Sequence, residues 1–192
     1  MPEIQQQEKA ELRKQVREKL CLLSAAEREQ ASAQAVSLMK QQRAWISAKS
    51  ILFYAPHREE LDIWPLLLAT LHKNRKAFLP RFESKVGSYC ICEVRNPERD
   101  IQVGRYGIRE PSEFCPPIAL NPLDLVLVPG VAFDLHGRRL GRGKGYYDRL
   151  LDTVRGKTCG VAFDEQIVSR VPVEPHDVQL NCILTPTRWI EL

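Results

Sequence analysis

Residues 123–128 of this 192-residue chain read Leu-Asp-Leu-Val-Leu-Val, and Pro129-Gly130 follow directly. The run is almost continuously apolar instead of alternating between apolar and polar residues. That pattern is typical of a β-strand that is covered on both faces, as strands of a parallel sheet are. The stretch therefore predicts a strand at the centre of a parallel sheet.

The residues before this run predict two helices and then a strand, a helix and a strand. The first helix is expected from about Lys9, and the second from Ser24 towards Arg43. Ser24 and Glu27 have the spacing of a capping box, in which each side chain satisfies a backbone N–H of the first turn. The apolar and β-prone patterns that follow predict a strand at 51–54, a helix at 63–72 and a strand at 76–80.

The residues from 83 to 122 form an irregular, Gly- and Pro-containing stretch, in which 89–94 could be a strand. After the central run, the pattern predicts a helix at about 144–154, a strand at 158–163 and a terminal strand near 182–184. The order strand, helix, strand favours an α/β fold with parallel crossover units. We expect residues 1–192 to form one domain, a Rossmann-like three-layer fold with a mostly parallel central sheet flanked by helices.

The composition is that of a globular protein, with 44% hydrophobic and 27% charged residues and a net charge of +4. This excess of positive charge is too small to indicate a nucleic-acid partner by itself. The polar amino terminus and the absence of a long apolar run lead us to expect a cytoplasmic protein. The six cysteines show no metal-ligand spacing and are expected to be buried, reduced thiols.

The most unusual stretch, 138–149, reads Arg-Arg-Leu-Gly-Arg-Gly-Lys-Gly-Tyr-Tyr-Asp-Arg. Alternating glycines let the backbone approach a ligand and point N–H groups at it, while Arg142 and Lys144 supply full charges. The stretch leads from the central strand into a helix, whose N-terminus adds donors for a phosphate. It therefore indicates a phosphate site, although a solvated turn is the alternative. It is not a Walker loop, because no hydroxyl residue follows Lys144.

Four further residues could join such a site. Asp148 could either accept hydrogen bonds from the helix N-terminus or hold Mg²⁺ against bound phosphates, and the sequence does not decide between these roles. Lys9 and Arg13 lie on one face of a helix, where they could clamp phosphates or simply be solvated. Glu60, beyond the first strand, could accept hydrogen bonds from an amino-heterocycle, or it could be an ordinary loop or helix-capping acid.

These residues carry a resemblance to a known family. The run Leu127 to Asp134, followed by Gly137 and by Arg139 to Asp148, resembles the signature of the 5-formyltetrahydrofolate cyclo-ligases, also called 5,10-methenyltetrahydrofolate synthetases. The resemblance extends over most of the chain; its other parts are Lys9 and Arg13, Glu60-Leu61-Asp62, Tyr106-Gly107-Ile108 with Glu110-Pro111, Val171-Pro172-Val173, and Asp177.

The resemblance implies an ATP- and Mg²⁺-dependent ligase of one-carbon metabolism. The implied ATP-binding residues are Lys9, Arg13, Arg139, Leu140, Gly141, Arg142, Gly143, Lys144, Gly145, Tyr146 and Tyr147. The implied folate-binding residues are Tyr54, Glu60, Arg142, Gly143, Lys144, Gly145 and Tyr146. Asp148 is the implied metal ligand. Related chains often carry a second ligating Asp where this chain has Asn181, so the second ligand is expected to be Asn181 or Asp177.

The implied reaction needs no protein nucleophile. The formyl oxygen of 5-formyltetrahydrofolate would attack the γ-phosphate of ATP, and ring closure would then expel phosphate. Such a step mainly needs positioning and neutralisation of charge, which makes Arg142 and Lys144 the expected catalytic residues.

We expect small-molecule substrates, no nucleic-acid or membrane partner, and a monomer or weak homodimer. Two other functions stay open at this point: a basic nucleic-acid-binding domain, and a diverged phosphate-binding paralogue, such as a related enzyme acting on sugar phosphates.

Overall fold

The structure is a computed structural model that describes residues 2–84, 87–104, 107–118, 123–143, 145–151, 155–174 and 177–192, with only the backbone described at 2, 3 and 146. Its helices are α1 (Pro2–Cys21), α2 (Ala25–Gln41), α3 (Arg43–Ser47), α4 (Trp64–His72), α5 (Pro97–Asp100) and α6 (Tyr146–Leu151). Its strands are β1 (Ser50–Leu52), β2 (Lys76–Glu83), β3 (Ser88–Val94), β4 (Ile101–Val103), β5 (Arg109–Pro111), β6 (Pro117–Ile118), β7 (Leu125–Pro129), β8 (Ala132–Asp134), β9 (Arg139–Leu140), β10 (Lys157–Val161), β11 (Ile167–Val168), β12 (Cys182–Leu184) and β13 (Trp189–Glu191).

The described strands form one large sheet and two small ones. The large sheet has the order β13-β12-β10-β7-β1-β2-β3-β6. Its inner strands β12, β10, β7, β1 and β2 are parallel. At the two sides, β13 is antiparallel to β12, β3 is antiparallel to β2, and β6 is antiparallel to β3. The strand predicted from residues 123–128 is β7, and it lies between β10 and β1 at the middle of the parallel part. The predicted fold class is therefore confirmed.

Successive side chains of β7 enter two separate hydrophobic clusters, one on each face of the sheet. Leu125 and Leu127 belong to the cluster that holds apolar residues of α1, α2 and α4. Val126 and Val128 belong to the cluster that holds Leu150 of α6. All four β7 side chains are fully buried. A central strand covered on both faces has no polar face, which explains its near-continuous apolar sequence.

Several predicted boundaries need correction. Helix α1 begins at Pro2 instead of near Lys9. Strand β2 continues past Pro80 to Glu83, although proline commonly ends a strand. The backbone of Phe78 bonds on the β1 side, where its carbonyl accepts from Phe53 N–H at 2.9 Å. Pro80 faces the same side, beyond the end of β1, so its missing N–H disrupts no ladder.

Other predictions hold closely. Ser24 and Glu27 make the reciprocal capping-box bonds at the start of α2. Cysteines 92, 115, 159 and 182 are buried, but Cys21 is exposed and Cys90 is half-buried, so the expectation of six buried thiols is wrong for these two. Burial raises the pKa of the Cys92 thiol to about 12, which keeps it protonated at neutral pH. In the described part of the chain, no helix is both long and apolar enough to cross a membrane.

Candidate functional site

A cavity of about 410 Å³ opens beyond the carboxyl ends of the central strands, where open α/β sheets bind ligands. Tyr54 follows β1, and Pro129 and Gly130 close β7. The glycine-rich loop and the first turn of α6 complete one wall. The lining residues are Tyr54, Ala55, His57, Glu60, Pro80, Phe82, Tyr89, Ile108, Arg109, Glu110, Pro129, Gly130, Arg139, Gly141, Arg142, Gly145, Tyr147 and Asp148.

Arg139 is the buried cation of this wall, with only 4% of its side chain exposed. Its guanidinium forms a short ion pair with Asp148 and also donates to the carbonyl oxygen of Pro129 at 3.4 Å. A Cβ atom on Gly141 would stand 2.9 Å from the Arg139 guanidinium. The Arg139 guanidinium thus crosses close to the backbone at Gly141, and a side chain at position 141 would require the guanidinium to shift.

The middle of the loop is held from α1. Arg13 donates through Nε to the carbonyl oxygen of Gly141 at 2.9 Å, and its guanidinium would stand 3.5 Å from a Cβ on Gly143. Gly143 and Gly145 have φ values of +92° and +62°, in the left-handed region that favours glycine. Partial burial lowers the pKa of Arg13 from its ordinary value, although the group stays charged at neutral pH.

The turn that delivers the loop is organised around Asp134, which is completely buried at the end of β8. Its Oδ1 accepts from the backbone N–H groups of His136 and Arg138 at 2.9 and 3.2 Å, and its Oδ2 accepts from that of Val171 at 2.9 Å. Gly137, with φ of +78°, completes the turn before β9. The buried carboxylate thus fixes where β9 starts, and β9 leads into the glycine-rich loop.

Glu60 and Arg142, both predicted to bind folate, meet at the mouth of the cavity. Arg142 donates to Oε1 of Glu60 at 3.0 Å, and Oε2 accepts from the N–H of His57 at 2.9 Å. Half of the Arg142 side chain is exposed, whereas only 14% of the Glu60 side chain is. Glu59 lies 3.9 Å from the same guanidinium. The pair is therefore accessible from solvent on the arginine side.

Two tyrosines line the inner part of the cavity. Tyr54 is 3% exposed and donates to the carbonyl oxygen of Leu61 at 3.0 Å. Burial first, and then the nearby Glu60 carboxylate, raise the pKa values of both Tyr54 and Tyr147 well above normal. Both phenols therefore stay neutral, so they can supply hydrogen bonds and ring surface but no anionic base.

Two predicted residues lie elsewhere. Lys9 is outside the cavity wall and pairs with Glu174 and Asp177 at 3.0 and 3.5 Å. Asn181 lies just before β12, and its Oδ1 accepts from the N–H and hydroxyl of Thr158 at 2.8 and 3.0 Å. Register places Asn181 about 10 Å back along the strands from the carboxyl edge. Asn181 thus lies at the amino edge, so the structure does not bring it together with Asp148, and its role as a metal ligand stays a prediction.

Other predicted positions have limited description. Lys144 lies outside the described residues, as do Tyr106 and the side chain of Tyr146. Leu140 packs into the core, and its carbonyl accepts from the N–H of Val131, so only its backbone lies near the loop. Asp148 is the metal-ligand candidate that does line the cavity. The described residues contain no group of three side chains suited to hold a metal ion.

Sequence reasoning missed the aromatic and cationic wall opposite the loop. Phe82 and Tyr89 face each other across β2 and β3, with ring centroids 5.5 Å apart and planes at 69°. Arg109 of β5 lies over the ring of Trp64, with its guanidinium carbon 3.6 Å from the ring centre. Phe82 could have been predicted if β2 had been extended past Pro80, because the longer strand places Phe82 at the edge of the cavity.

Comparisons with known proteins agree on one family. A sequence model described as the 5-formyltetrahydrofolate cyclo-ligase family matches residues 5–186. A 5-formyltetrahydrofolate cyclo-ligase of Haemophilus influenzae is 33% identical over 184 residues, covering 93% of this chain and 96% of that protein. One from Escherichia coli K12 is 27% identical over 177 residues, covering 90% and 97%.

Solved structures give the same result. The NMR structure of Aquifex aeolicus 5,10-methenyltetrahydrofolate synthetase superposes with a TM-score of 0.85 at 37% identity, covering 96% of this chain and 92% of that one. A 5,10-methenyltetrahydrofolate synthetase from Mycoplasma pneumoniae gives a TM-score of 0.73 at 25% identity, covering 93% and 98%.

Proposed function

This chain belongs to the 5-formyltetrahydrofolate cyclo-ligase family, and we propose that the cavity behind its glycine-rich loop is where it converts 5-formyltetrahydrofolate and ATP to 5,10-methenyltetrahydrofolate, ADP and phosphate. The observation that carries the proposal is the meeting of Glu60 and Arg142 at 3.0 Å. Through this contact, Glu60, a hydrogen-bond acceptor for the pterin, and Arg142, a cation for the phosphates, lie side by side in one cavity.

The inner cavity suits a reduced pterin. Flat heterocycles bind well between aromatic side chains, and Tyr54, Phe82, Tyr89 and Tyr147 provide such surfaces. The Glu60 carboxylate accepts from the amino group and ring N–H of a pterin, which are paired donors on one edge of the ring. When the pterin takes these acceptor sites, Arg142 loses its partner and becomes available to the nucleotide.

The loop suits the triphosphate. Arg13 fixes the Gly141 carbonyl, and left-handed Gly143 and Gly145 bend the backbone so that N–H groups can converge on an anion. Lys144, between these glycines, and Arg142 add full charges. The α6 N-terminus follows at Tyr146 and favours negative charge.

The chemistry then proceeds in two steps. The formyl oxygen attacks the γ-phosphorus, a new O–P bond forms, and the bond to the ADP oxygen breaks, leaving an iminium phosphate. The folate N10 next attacks the formyl carbon and loses its proton, and the C–O bond breaks to release inorganic phosphate. Arg142 and Lys144 neutralise the charge that moves onto ADP and phosphate.

Mg²⁺ fits this site as an ion held mainly by the nucleotide. Proteins usually bind such Mg²⁺ through one or two carboxylates, with phosphate oxygens and water completing the shell. Asp148 supplies one carboxylate on the cavity wall, and its pairing with Arg139 orients it. When bound, the ion would neutralise phosphate charge.

The test is the absorbance of methenyltetrahydrofolate, followed with and without ATP. The wild-type chain should form product only with ATP and 5-formyltetrahydrofolate together. Arg142→Ala and Lys144→Ala should each raise the activation free energy by about 2–4 kcal/mol, which lowers turnover by about 30- to 1000-fold. Arg43→Ala, an exposed cation on α3 outside the cavity wall, is the matched control and should leave turnover unchanged. Wild-type turnover in both loop variants would refute the assigned roles.

A further inference from the structure

Arg109 is the cation of the cavity wall that the proposed reaction does not use. It belongs to β5, which pairs with β4 in a small two-stranded sheet and is separate from the glycine-rich loop. Its side chain is half-buried and lines two adjoining cavities, the reaction cavity and one of about 820 Å³ bordered by α2 and residues 56–65. His57 and Glu60 also line both cavities, so Arg109 lies where they join.

Trp64 fixes the orientation of this arginine. The guanidinium carbon lies 3.6 Å from the centre of the indole system, which is a close cation–π contact. Trp64 is itself positioned at the start of α4, where its backbone N–H donates to Oδ1 of Asp62 at 2.9 Å. The ring covers one face of the guanidinium and leaves the N–H groups at its edge available. Those edge donors match the two oxygens of a carboxylate.

The described residues leave Arg109 without an acidic partner. The other described arginines of the reaction cavity are neutralised within the protein, Arg139 by Asp148 and Arg142 by Glu60. No carboxylate within the described ranges makes an ion pair with Arg109, and its recorded contact is the Trp64 ring. A partly desolvated cation on a cavity wall favours an anionic ligand.

We propose that Arg109 and Trp64 form a carboxylate-binding site for the glutamate portion of the folate substrate. This inference rests on the proposed function. A tetrahydrofolate bound by its pterin near Glu60 must direct its aminobenzoyl-glutamate tail out of the inner cavity, and the glutamate carries two carboxylates at neutral pH. Arg109 meets that tail at the junction of the two cavities, and Trp64 holds the guanidinium in place for it.

The experiment compares two substrates that differ only in this tail, 5-formyltetrahydrofolate and 5-formyltetrahydropteroate, which lacks the glutamate. For Arg109→Gln, KM for the folate should rise by about 10- to 100-fold, the range for losing a charge-assisted pair of hydrogen bonds, with kcat little changed. KM for the pteroate should stay at its wild-type value. Arg109→Lys keeps the positive charge but lacks the planar pair of N–H donors, so its KM for the folate should lie between those of wild type and Arg109→Gln.

Arg58→Ala is the matched control, because Arg58 is an exposed cation that lines only the second cavity. It should leave both KM values unchanged, and circular dichroism should show native folding for all variants. Equal effects of Arg109→Gln on both substrates, an effect on KM for ATP alone, or the same effect from Arg58→Ala would each overturn the inference. A wild-type chain that forms no product from either substrate would instead refute the proposed function.

Discussion

Replacing Asp134 with Asn should destabilise the turn that carries the glycine-rich loop. The carboxylate is fully buried and accepts three backbone N–H bonds, two through Oδ1 and one through Oδ2. An Asn side chain has a single acceptor oxygen. If that oxygen keeps the bonds from His136 and Arg138, its NH₂ group must face the buried N–H of Val171, so two donors meet with no acceptor between them.

The size of the loss follows from these bonds. A hydrogen bond to a charged group contributes about 1.5–3 kcal/mol, and the two retained bonds become weaker because their acceptor is neutral. Asp134→Asn should therefore lower the free energy of unfolding by about 3 kcal/mol. With an m-value of about 2 kcal/mol/M for urea, the unfolding midpoint should fall by about 1.5 M.

The assay is urea unfolding followed by tryptophan fluorescence, with Asp164→Asn as the control. Asp164 also accepts several hydrogen bonds, from the hydroxyls of Thr185 and Thr187 at 2.7 and 2.8 Å, but 29% of its side chain is exposed. Water can replace the lost bonds there, so the control should lose less than about 1 kcal/mol. A midpoint for Asp134→Asn equal to or above that of Asp164→Asn would refute the reasoning.

Two further predictions concern the brace on the loop and the response to acid. Arg13→Ala should raise KM for ATP by about tenfold, because the lost hydrogen bond to the Gly141 carbonyl contributes about 1.5 kcal/mol. Initial rates at saturating formylfolate measure this KM, and an unchanged value would contradict the prediction. Desolvation opposes ionisation of Asp124, but bonds from the Lys49 N–H and from the N–H and hydroxyl of Ser50 outweigh it and lower its pKa. This stabilisation is present above the ordinary pKa and is lost as pH falls through the lower folded value. The melting temperature of Asp124→Asn should therefore lie below that of wild type at pH 7, and the two should converge below about pH 4. A difference in melting temperature that widens in acid would argue against this.

Local sequence patterns predicted the elements that depend on local physics. The capping box at Ser24, the unbroken apolar run of β7 and the glycines of the loop each express a requirement of their own backbone, so their positions follow from a few neighbouring residues. The pairing of Glu60 with Arg142 was foreseeable only as a shared role, because 82 residues separate them and the fold alone sets their distance.

Sequence patterns predict less where the environment of a residue depends on distant strands. Asn181 matched a metal position by its neighbours in sequence, but its place one residue before β12 and beside Thr158 puts it at the opposite edge of the sheet. The sequence predicts that β2 ends at Pro80, because sequence alone does not show that β1 ends earlier and leaves that side of β2 without a hydrogen-bonding partner at Pro80. An isolated arginine forms no recognisable sequence pattern, so Arg109 stands out only in the folded structure, where it lies over the Trp64 ring.

The contact between Arg13 and Gly141 links the first helix to a loop 128 positions later. The position of the glycine-rich loop is thereby coupled to a helix that lies outside the sheet. Under the proposed function, proteolytic trimming or a bulky amino-terminal fusion that displaced this helix would lower nucleotide affinity and would also destabilise the fold, because Val16 and Leu20 of the helix pack in the core. A carboxy-terminal label would avoid that route.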